Sequence, residues 1–403
     1  MAQYTENIKD RMVAIMSWET VRADEFCISV TDGTHNSPKP QQSGMKLITS
    51  KHLKGYYIDF DSANWISEAD YKKIIARSSV EQWDILFSMI GTIGTIYLEK
   101  DLTVEYACKN MGIFKFAGNR ENAFWMYYYL KSPQSRAYIQ AHLRGSTQAY
   151  MPLGGLREMP VPVPDGKIRR KIVSILRPID EKIEVNNVIS DNLLQQLHQL
   201  FVRIFNGIDM DVTFGDVIET TSGGTPSRKH DEYYDGGSIC WVKSKELSGN
   251  YIHDTEEYIN DVAVAKSAAK LLPAHSVLIA MYGATVGAYG IISKPMACNQ
   301  AICALLSNEK YPYTYLFQMA YELQKKFVNL AVGSAQQNIS QVLIKRLPIH
   351  SNIDIIRRFH LLAQPIHEEM ELLQVENRHL SELRDSLLPK LMSGELDVSS
   401  IDL

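Results

Sequence analysis

The sequence predicts a mixed α/β (α+β) protein that is built twice, as two similar globular domains with two long helices and a pseudo-two-fold internal repeat. One observation is a stretch that occurs twice without a gap, at residues 168–207 and again at 355–394. In both copies an arginine, a Pro-Ile pair and a closing glycine fall at corresponding positions. The second observation is that short motifs precede each copy in the same order. A duplication therefore explains the chain better than a short-period solenoid repeat does.

Each copy of the repeated stretch is predicted to form one long helix. Apolar residues recur at alternating spacings of four and three, which is the seam of a coiled coil, and the natural partner of each seam is the other helix. Asn186, Ser190 and Asn377 fall inside the seams, where polar residues can fix the register. An ordinary pair of core helices with these three side chains in water is the alternative. The predicted helix-pair interface consists of Ile179, Ile183, Leu193, Leu197 and Leu200 from the first helix and Ile366, Met370, Leu380, Leu387 and Leu391 from the second.

Prolines and glycines mark the weak points and the ends of these helices. Pro178 and Pro365 have no N–H to donate to the preceding turn, so each is predicted to kink its helix or to begin the long segment afresh. Gly207 and Gly394 stand where a C-terminal cap belongs, because glycine adopts the left-handed backbone that ends many helices.

The repeat divides the chain into four predicted segments. They are a first globular domain (1–163), a central helical segment (164–207), a second globular domain (208–352) and a C-terminal helical segment (353–403). In the first domain, apolar patterns predict strands at 46–50, 84–89 and 111–116, and one helix at 121–138. The run PVPVPDG (160–166) predicts a stiff, extended connector, because its prolines exclude a helix interior.

The second domain repeats the landmarks of the first in the same order. VKSKELSG (242–249) matches ITSKHLKG (48–55), and VLIAMYGATVG (277–287) matches ILFSMIGTIG (85–94) with one inserted residue. Between these landmarks the two sequences differ widely. Matched landmarks with different sequences between them fit two modules of one fold that bind different things.

Composition excludes several classes of protein. With 45% hydrophobic and 22% charged residues the chain is of the folded, globular type. A net charge of −4 argues against a protein that grips nucleic acid nonspecifically with a coat of lysines. We expect no secretion signal, membrane span, zinc site or disulfide framework, since the five cysteines form no CxxC motif. The reducing cytoplasm is the expected location.

The sequence offers no active site. It contains no GxGxxG motif after a strand, no P-loop and no Asn/Asp-Pro-Pro-Tyr/Phe motif for amino-methyl transfer. A nuclease-like pattern does occur, as Pro164-Asp165 followed by Asp180-Glu181-Lys182. Such a site needs its carboxylates and lysine gathered around a metal ion, whereas the second part lies on the predicted coiled-coil helix.

Polar and basic side chains around the matched loops are the candidates for contact with nucleic acid, since they can supply phosphate contacts and base-edge hydrogen bonds together. In the second domain they are Thr225, Ser227, Arg228, Lys229, Lys243, Lys245, Gln336 and Asn338. In the first domain they are Thr34, His35, Lys46 and Lys51, which we match to the second set. A solvated loop and strand face is the alternative, and the amides could equally join a loop to its helix.

The assembled pattern resembles the specificity subunit of a type I restriction–modification system, and the resemblance covers essentially the whole chain. Its most specific parts are SGGTPS (222–227) with WVK (241–243), MYGATVG (281–287), NQAI (299–302), GSAQQNIS (333–340) and LRDSLLPKLMSGEL (383–396). Each motif is weak alone, but their order together with the duplication is distinctive.

The resemblance implies that each globular domain is a target-recognition domain that reads one half of a split, asymmetric sequence of double-stranded DNA. The two helices would pack antiparallel, set the spacing of the half-sites and dock two modification subunits. Those subunits would bring S-adenosylmethionine and methylate adenine, and restriction subunits would join to cleave. This chain would then be non-catalytic and hold no cofactor. The region 222–230, residues 243–245, their first-domain equivalents and Tyr282 of the MYGATVG motif would contact DNA.

The first domain departs from the family pattern in two places. It has TDGTH (31–35) where the second domain has SGGTP (222–226), and GSTQAY (145–150) where the second has GSAQQN (333–338). A differently shaped loop is therefore expected there, and Tyr150 is a poor match for an amide. Two other functions stay open: a scaffold that joins proteins through its helices without binding DNA, and a nuclease or methyltransferase with its own active site.

Overall fold

A computed structural model describes residues 18–331 and 337–401 of the protein. Their contacts divide the chain into two compact units. The first unit runs to Glu184 and resumes at Leu380, and the second is Val185–His379. The first unit contains the first globular domain and the second unit contains the second, and each also holds one segment of both long helices. The predicted α/β architecture, a pair of similar globular bodies with two long helices, is confirmed.

The first domain is built from three small sheets and the helices that cover them. Across its antiparallel sheet the strands are Ser29–Asp32, Met111–Lys115, Ile85–Ser88 and Ile96–Leu98. A mixed sheet follows the order Asn64–Ile66, Met45–Ile48 and Tyr106–Cys108. The third sheet pairs Glu19–Arg22 with Pro160–Val163, so the proline-rich connector is extended as predicted. Helical segments are Ala23–Phe26, Ser50–His52, Glu68–Ser78, Arg120–Lys131, Pro133–His142 and Leu153–Arg157.

The prediction of a single helix at 121–138 is wrong, because the chain forms two helices there. The first ends at Lys131, and the second begins at Pro133. The side chain of Ser132 caps the second helix by accepting a hydrogen bond of 3.3 Å from the Ser135 N–H. Proline is favoured at the first position of a helix and breaks the interior of one.

The second domain repeats this construction. Its antiparallel strands and their flanking parallel partner are Thr220–Ser222, Ile302–Leu305, Val277–Ala280, Tyr289–Ile292 and Tyr251–Ile252. Its mixed sheet is Tyr258–Ile259, Ile239–Val242 and Ala297–Cys298, and Val212–Thr213 pairs with Pro348–Ile349. Helical segments are Phe214–Val217, Asp231–Tyr233, Ser244–Glu246, Asp261–Lys266, Gly283–Thr285, Tyr313–Leu330 and Gln341–Lys345. In both domains the apolar core lies between the antiparallel sheet and the longest helix of the domain.

The two long helices are Gly166–Phe205 and Ile353–Met392. Pro178 and Pro365 both lie inside them, so the expectation that these prolines begin a segment afresh is wrong. Packing along the rest of the helix outweighs the one hydrogen bond that each proline removes. None of the described helices combines the length and apolar character that a membrane crossing requires.

Both long helices end at the predicted glycine caps. Gly207 and Gly394 each have a φ of 74°, which is the left-handed backbone that only glycine adopts without strain. The N–H of Leu396 reaches back to the carbonyl of Lys390 over 3.1 Å and uses one of the free carbonyls of that helix end.

Within each unit the two helix segments run antiparallel. In the second unit the Asn186 amide donates to Asn377 Oδ1 over 2.9 Å, while the rings of Phe201 and Phe359 lie 5.4 Å apart further along. In the first unit Arg384 Nη1 donates to Asp180 Oδ1 over 2.9 Å, and the Lys171 ammonium, earlier in the central helix, donates to the carbonyl of Ser399, beyond the end of the C-terminal helix, over 2.6 Å. In each unit, residues later in the central helix contact residues earlier in the C-terminal segment, as antiparallel helices do. Asn186 is fully buried, so the alternative that places it in water does not hold.

The helix seam differs in detail from the predicted one. Of the ten predicted interface residues, three are buried, and they are Leu197, Met370 and Leu391. The other seven are half-buried, and they are Ile179, Ile183, Leu193, Leu200, Ile366, Leu380 and Leu387. Phe201, Phe205 and Leu388, which lie outside the predicted seam, are buried as well. The helices also pack against the globular cores, which requires an apolar stripe wider than the two positions per heptad of a coiled coil.

Candidate nucleic-acid interface

One loop in each domain leaves the antiparallel sheet and crosses to the end of the mixed sheet. In the second domain the Gly224 N–H donates to the carbonyl of Cys298 over 2.9 Å, and in the first domain the Thr34 N–H donates to Cys108 over 2.9 Å. A Cβ on Gly223 would lie 2.1 Å from the Cys298 oxygen, and one on Gly33 would lie 2.4 Å from the Cys108 oxygen. Gly33 therefore corresponds to Gly223, one residue away from the match that the TDGTH and SGGTP motifs suggest.

Two aromatic side chains fix the loop of the second domain. The Trp241 indole donates to the Gly224 carbonyl over 3.1 Å, and the Tyr234 hydroxyl donates to the Pro226 carbonyl over 2.7 Å. These bonds hold the buried part of the loop against the sheet. Predicted contact residues then lie exposed on its outer side, and they are Thr225, Ser227, Arg228 and Lys229.

A carboxylate that the sequence analysis missed joins two of the predicted cations. Glu257 accepts hydrogen bonds from both Arg228 and Lys243. The Arg228 guanidinium also lies 4.3 Å from the centre of the Tyr234 ring. The hydrogen bond from Lys243, with that from Arg228 added, holds the pKa of Glu257 below its ordinary value, so the carboxylate stays charged. The signal in the sequence was the acidic run before Tyr258, which lies too far along the chain to suggest this pairing.

The other lysines of the second domain are more open to solvent. Lys245, in the short turn after the strand, bonds to Glu256, and both side chains are more than half exposed. The Lys229 ammonium is exposed and has no ion-pair partner within 18–331 and 337–401. Because exposed ion pairs are worth little, both lysines can exchange their present surroundings for phosphate at small cost.

Tyr282 and Asn338 face each other across a backbone bridge. The Gly283 N–H donates to the Gln337 carbonyl and the Ile339 N–H to the Met281 carbonyl, both over 2.9 Å. The segment around Asn338 is thus joined to the sheet by its backbone, and the Asn338 side chain stays exposed. Gln336, the other predicted amide, lies outside the described residues.

The first domain has the same bridge with different side chains. There Ile90 pairs with Tyr150, and the Met151 N–H donates to the Met89 carbonyl over 2.9 Å. Tyr150 therefore occupies the place of Asn338, and Ile90 that of Tyr282. An exposed tyrosine replaces an exposed amide, so the two domains offer different chemistry at one position of the frame.

The loop of the first domain is organised around Asp32. The His35 ring lies between Asp32 Oδ2, at 2.7 Å, and Asn110 Oδ1, at 2.9 Å. Arg77, from the helix at 68–78, donates to Asp32 Oδ1 over 3.2 Å and to the Gly33 carbonyl over 3.0 Å. Thr34 is buried where the backbone pairs with Lys109. His35 and Arg77 consequently border one open groove, and Arg77 is a basic residue that the sequence analysis missed.

Lys46, which was grouped with the basic residues of the second domain, has no basic counterpart there. Strand pairing equates Ile48 with Val242, since these lie opposite Cys108 and Cys298, so Lys46 corresponds to the buried Cys240. Its ammonium lies 3.9 Å from the centre of the Trp65 ring and donates to a backbone carbonyl.

The same register equates Lys51 with Lys245, as predicted, and Lys51 is exposed. It also places Thr49 and Asn64 where the second domain has Lys243 and Glu257. The first domain therefore has no charged pair at this point of its frame.

The nuclease-like pattern has a structural explanation. Asp180 accepts hydrogen bonds from Lys131, at 3.0 Å, and from Arg384, at 2.9 Å. Burial would raise the pKa of Asp180, but these two cations hold it below its ordinary value. Asp165 accepts from the Lys167 N–H at the start of the central helix over 2.8 Å. Within the described ranges, no group of histidines, cysteines and carboxylates is arranged to hold a metal ion.

Comparison with known proteins places the chain among DNA specificity proteins. A family model described as the type I restriction modification DNA specificity domain matches residues 17–195 and again 209–351, which is most of the chain. The HindI specificity subunit of Haemophilus influenzae is 21% identical over 80% of this chain and 88% of its own length. The MjaIX specificity subunit of Methanocaldococcus jannaschii is 25% identical over 88% of this chain and 87% of its own. The crystal structure of a type I S subunit from M. genitalium shares the fold, with a TM-score of 0.53, 15% identity, and coverage of 94% and 97%.

Proposed function

Because the chain belongs to the type I restriction–modification DNA specificity family, we propose that it reads a DNA target in two parts, one with each globular domain. The chain is the DNA-recognising, non-catalytic subunit of a type I restriction–modification complex. The first domain would read one half-site and the second domain the other. Because the domains carry different side chains on one frame, the two half-sites would differ in sequence.

The observation that carries this proposal is the identical strand register of two domains with unlike loops. By strand pairing, three positions of the first domain are equivalent to positions of the second that carry different side chains. Tyr150 is equivalent to Asn338, Thr49 to Lys243 and Asn64 to Glu257. Hydrogen-bond donors and acceptors at such positions discriminate base pairs through the edges exposed in the major groove. A scaffold that never touches DNA would need no such divergence at matched positions.

The long helices would set the spacing of the half-sites and dock two modification subunits. In support, the central helix exposes three large apolar side chains of the second unit within about one turn of each other, Val185 at 52%, Val188 at 54% and Ile189 at 38%. Exposed apolar clusters on soluble proteins are typical of protein-binding surfaces. The modification subunits would bind S-adenosylmethionine and methylate adenine in the cytoplasm, and restriction subunits would join to cleave. This chain would hold no cofactor of its own.

The test is single-molecule methylation mapping of DNA from a host that expresses the chain with its modification subunit. We expect N6-methyladenine in a motif of two short parts around a fixed gap. Exchange of residues 208–352 for those of a relative should change one part only. If the complex assembles but methylates no defined motif, or if the exchange changes both parts, the two-part assignment is wrong.

A further inference from the structure

The Arg228 side chain is held in one orientation from two directions. Its guanidinium lies on the Tyr234 ring at 4.3 Å, and that ring is itself fixed by the hydrogen bond from its hydroxyl to the Pro226 carbonyl. Glu257 binds the Nη2 corner. A surface arginine ordinarily loses considerable rotamer entropy when it binds a partner. Here much of that entropy is already lost in the free protein.

The remaining edge of the guanidinium is open. The side chain of Arg228 is 58% exposed, and nothing in 18–331 or 337–401 accepts a hydrogen bond from its Nε or Nη1. Arginine presents its donors as a planar fork whose geometry suits paired acceptors. The fixed orientation therefore offers a directed pair of donors to a molecule that approaches from solvent.

The charge around Arg228 favours base recognition over phosphate binding. Arg228 and Lys243 share the single carboxylate of Glu257, so much of their attraction for a phosphate is already used. The directions of the N–H donors are unaffected by this neutralisation. Lys229, which is exposed and has no ion-pair partner among the described residues, is better suited to bind a phosphate.

We propose that Arg228 reads a guanine in the half-site of the second domain and that Glu257 is its positioning residue. The paired acceptors O6 and N7 of guanine in the major groove match the arginine fork, and this is the commonest specific contact between protein and DNA. The inference rests on the proposed function of the second domain as a DNA reader. Beyond that function, the inference names guanine as the base that is read and Arg228 and Glu257 as the residues that select it.

Two charge-matched variants test the positioning role in the assembled modification complex. Glu257→Gln and Glu256→Gln remove one negative charge from adjacent residues, but only Glu257 contacts Arg228. Methylation rates are measured on the natural target and on duplexes in which each base pair of the second half-site is changed. We expect Glu257→Gln to reduce the preference for guanine at one position by roughly tenfold or more, and Glu256→Gln to leave every preference in place. Equal effects of the two variants would mean that charge alone matters and would overturn the positioning role.

Arg228→Lys tests the base contact itself, because it keeps the charge and removes the fork. We expect loss of the same preference at the same position, with complex assembly and the thermal unfolding temperature unchanged. An unaltered motif in Arg228→Lys, or a second half-site without any G·C pair that matters, would refute the guanine assignment while leaving the two-part function intact. A wild-type complex with no sequence preference would instead refute the proposed function and this inference together.

Discussion

The two globular domains share one arrangement of strands but hold their candidate DNA-binding groups at different positions on it. Each uses a carboxylate to hold basic groups near the candidate DNA-binding loop. In the first domain Asp32 holds His35 and Arg77, whereas in the second domain Glu257 holds Arg228 and a lysine. Both arrangements orient donors that would otherwise be mobile.

The strand register shows how far the carboxylate has moved between the domains. Asp32 lies opposite Gly112 on the antiparallel sheet, a position that Ser222 occupies in the second domain. Glu257 precedes a strand of the other, mixed sheet, where the first domain has Asn64. The two domains thus keep the same strand pairing, while the carboxylate that holds the basic groups lies at a different position in each. Each domain can therefore change its loop contacts without disturbing the strands that carry them.

Each unit joins its two helix segments through a contact in or beside a shared apolar core, and these two contacts differ in kind. In the second unit an aromatic cluster does so, since Phe201 lies within 5.4 Å of Phe359 and stacks on Phe205 at 4.5 Å. In the first unit the buried carboxylate of Asp180 bonds to Lys131 and to a second cation on the C-terminal helix. One contact depends on packing and the other on charge, so the two respond to different substitutions.

The largest effect is expected from Phe359→Ala, which removes a fully buried ring. It should lower the free energy of unfolding of the second unit by about 3–5 kcal/mol, measured by urea titration, because it leaves a cavity among aromatic neighbours. Leu361→Ala, on the exposed side of the same helix, should change it by less than about 0.5 kcal/mol. Equal losses in the two variants would show that the helix segment is not packed by this cluster.

The next largest loss of stability is expected from Asp180→Ala, which should destabilise the first unit. Removal of one member of a buried ion pair leaves uncompensated charges, at a cost of about 3 kcal/mol in the free energy of unfolding. Glu181→Ala is the control, since the ion pair of Glu181 within the described residues is with Arg177 one turn earlier, at 3.3 Å, and such pairs contribute about 0.5 kcal/mol or less. Methylation by Asp180→Ala complexes that remain folded should persist. Its complete loss from folded complexes would favour an active site at Asp180.

A smaller effect, dependent on pH, is expected from His367 in the second unit. Burial, aided by His275 and His360, lowers the pKa of His367 to about 3, whereas an unfolded histidine titrates near 6.5. Between these values the unfolded chain binds more protons, so stability is full above about pH 6.5 and is lost as the pH falls. The loss is about 1.4 kcal/mol per pH unit from this residue.

His367→Gln should therefore unfold with a weaker pH dependence than the natural protein between pH 6.5 and 5, as measured by urea titration at each pH. His379→Gln, which replaces an exposed histidine of the same helix, should leave the pH dependence unchanged. If both variants retain the natural slope, another group is responsible for it.

The smallest change is expected from Asp32→Asn, which weakens the hold on His35 and Arg77 without removing volume. A charged hydrogen bond of this kind contributes about 1.5 kcal/mol, so preference at one position of the first half-site should fall by about tenfold in methylation assays. The second half-site should be unaffected. Asp70→Asn, an equal change of charge in the same groove, is the control, and equal effects from both would contradict a specific role for Asp32.

Much of the frame could be predicted from the sequence alone. The duplication, both long helices, the caps at Gly207 and Gly394, and the match of VLIAMYGATVG (277–287) to ILFSMIGTIG (85–94) all agree with the structure. These features follow from local rules, because helix periodicity, strand patterns and left-handed glycines are determined by residues near each other in the chain.

Tertiary structure alone decided which side chains meet. The pairing of Glu257 with Arg228 joins residues on separate loops, and the correspondence of Gly33 with Gly223 depends on a contact with the opposite strand. The burial of Phe201 in place of Leu200 depends on the globular core beside the helix. Ion pairs, close backbone approach and burial are all set by distances in space between residues far apart in the chain. The spacing of residues along the sequence therefore predicted the helices, strands and caps, whereas the contacts between candidate DNA-binding side chains depend on the folded structure.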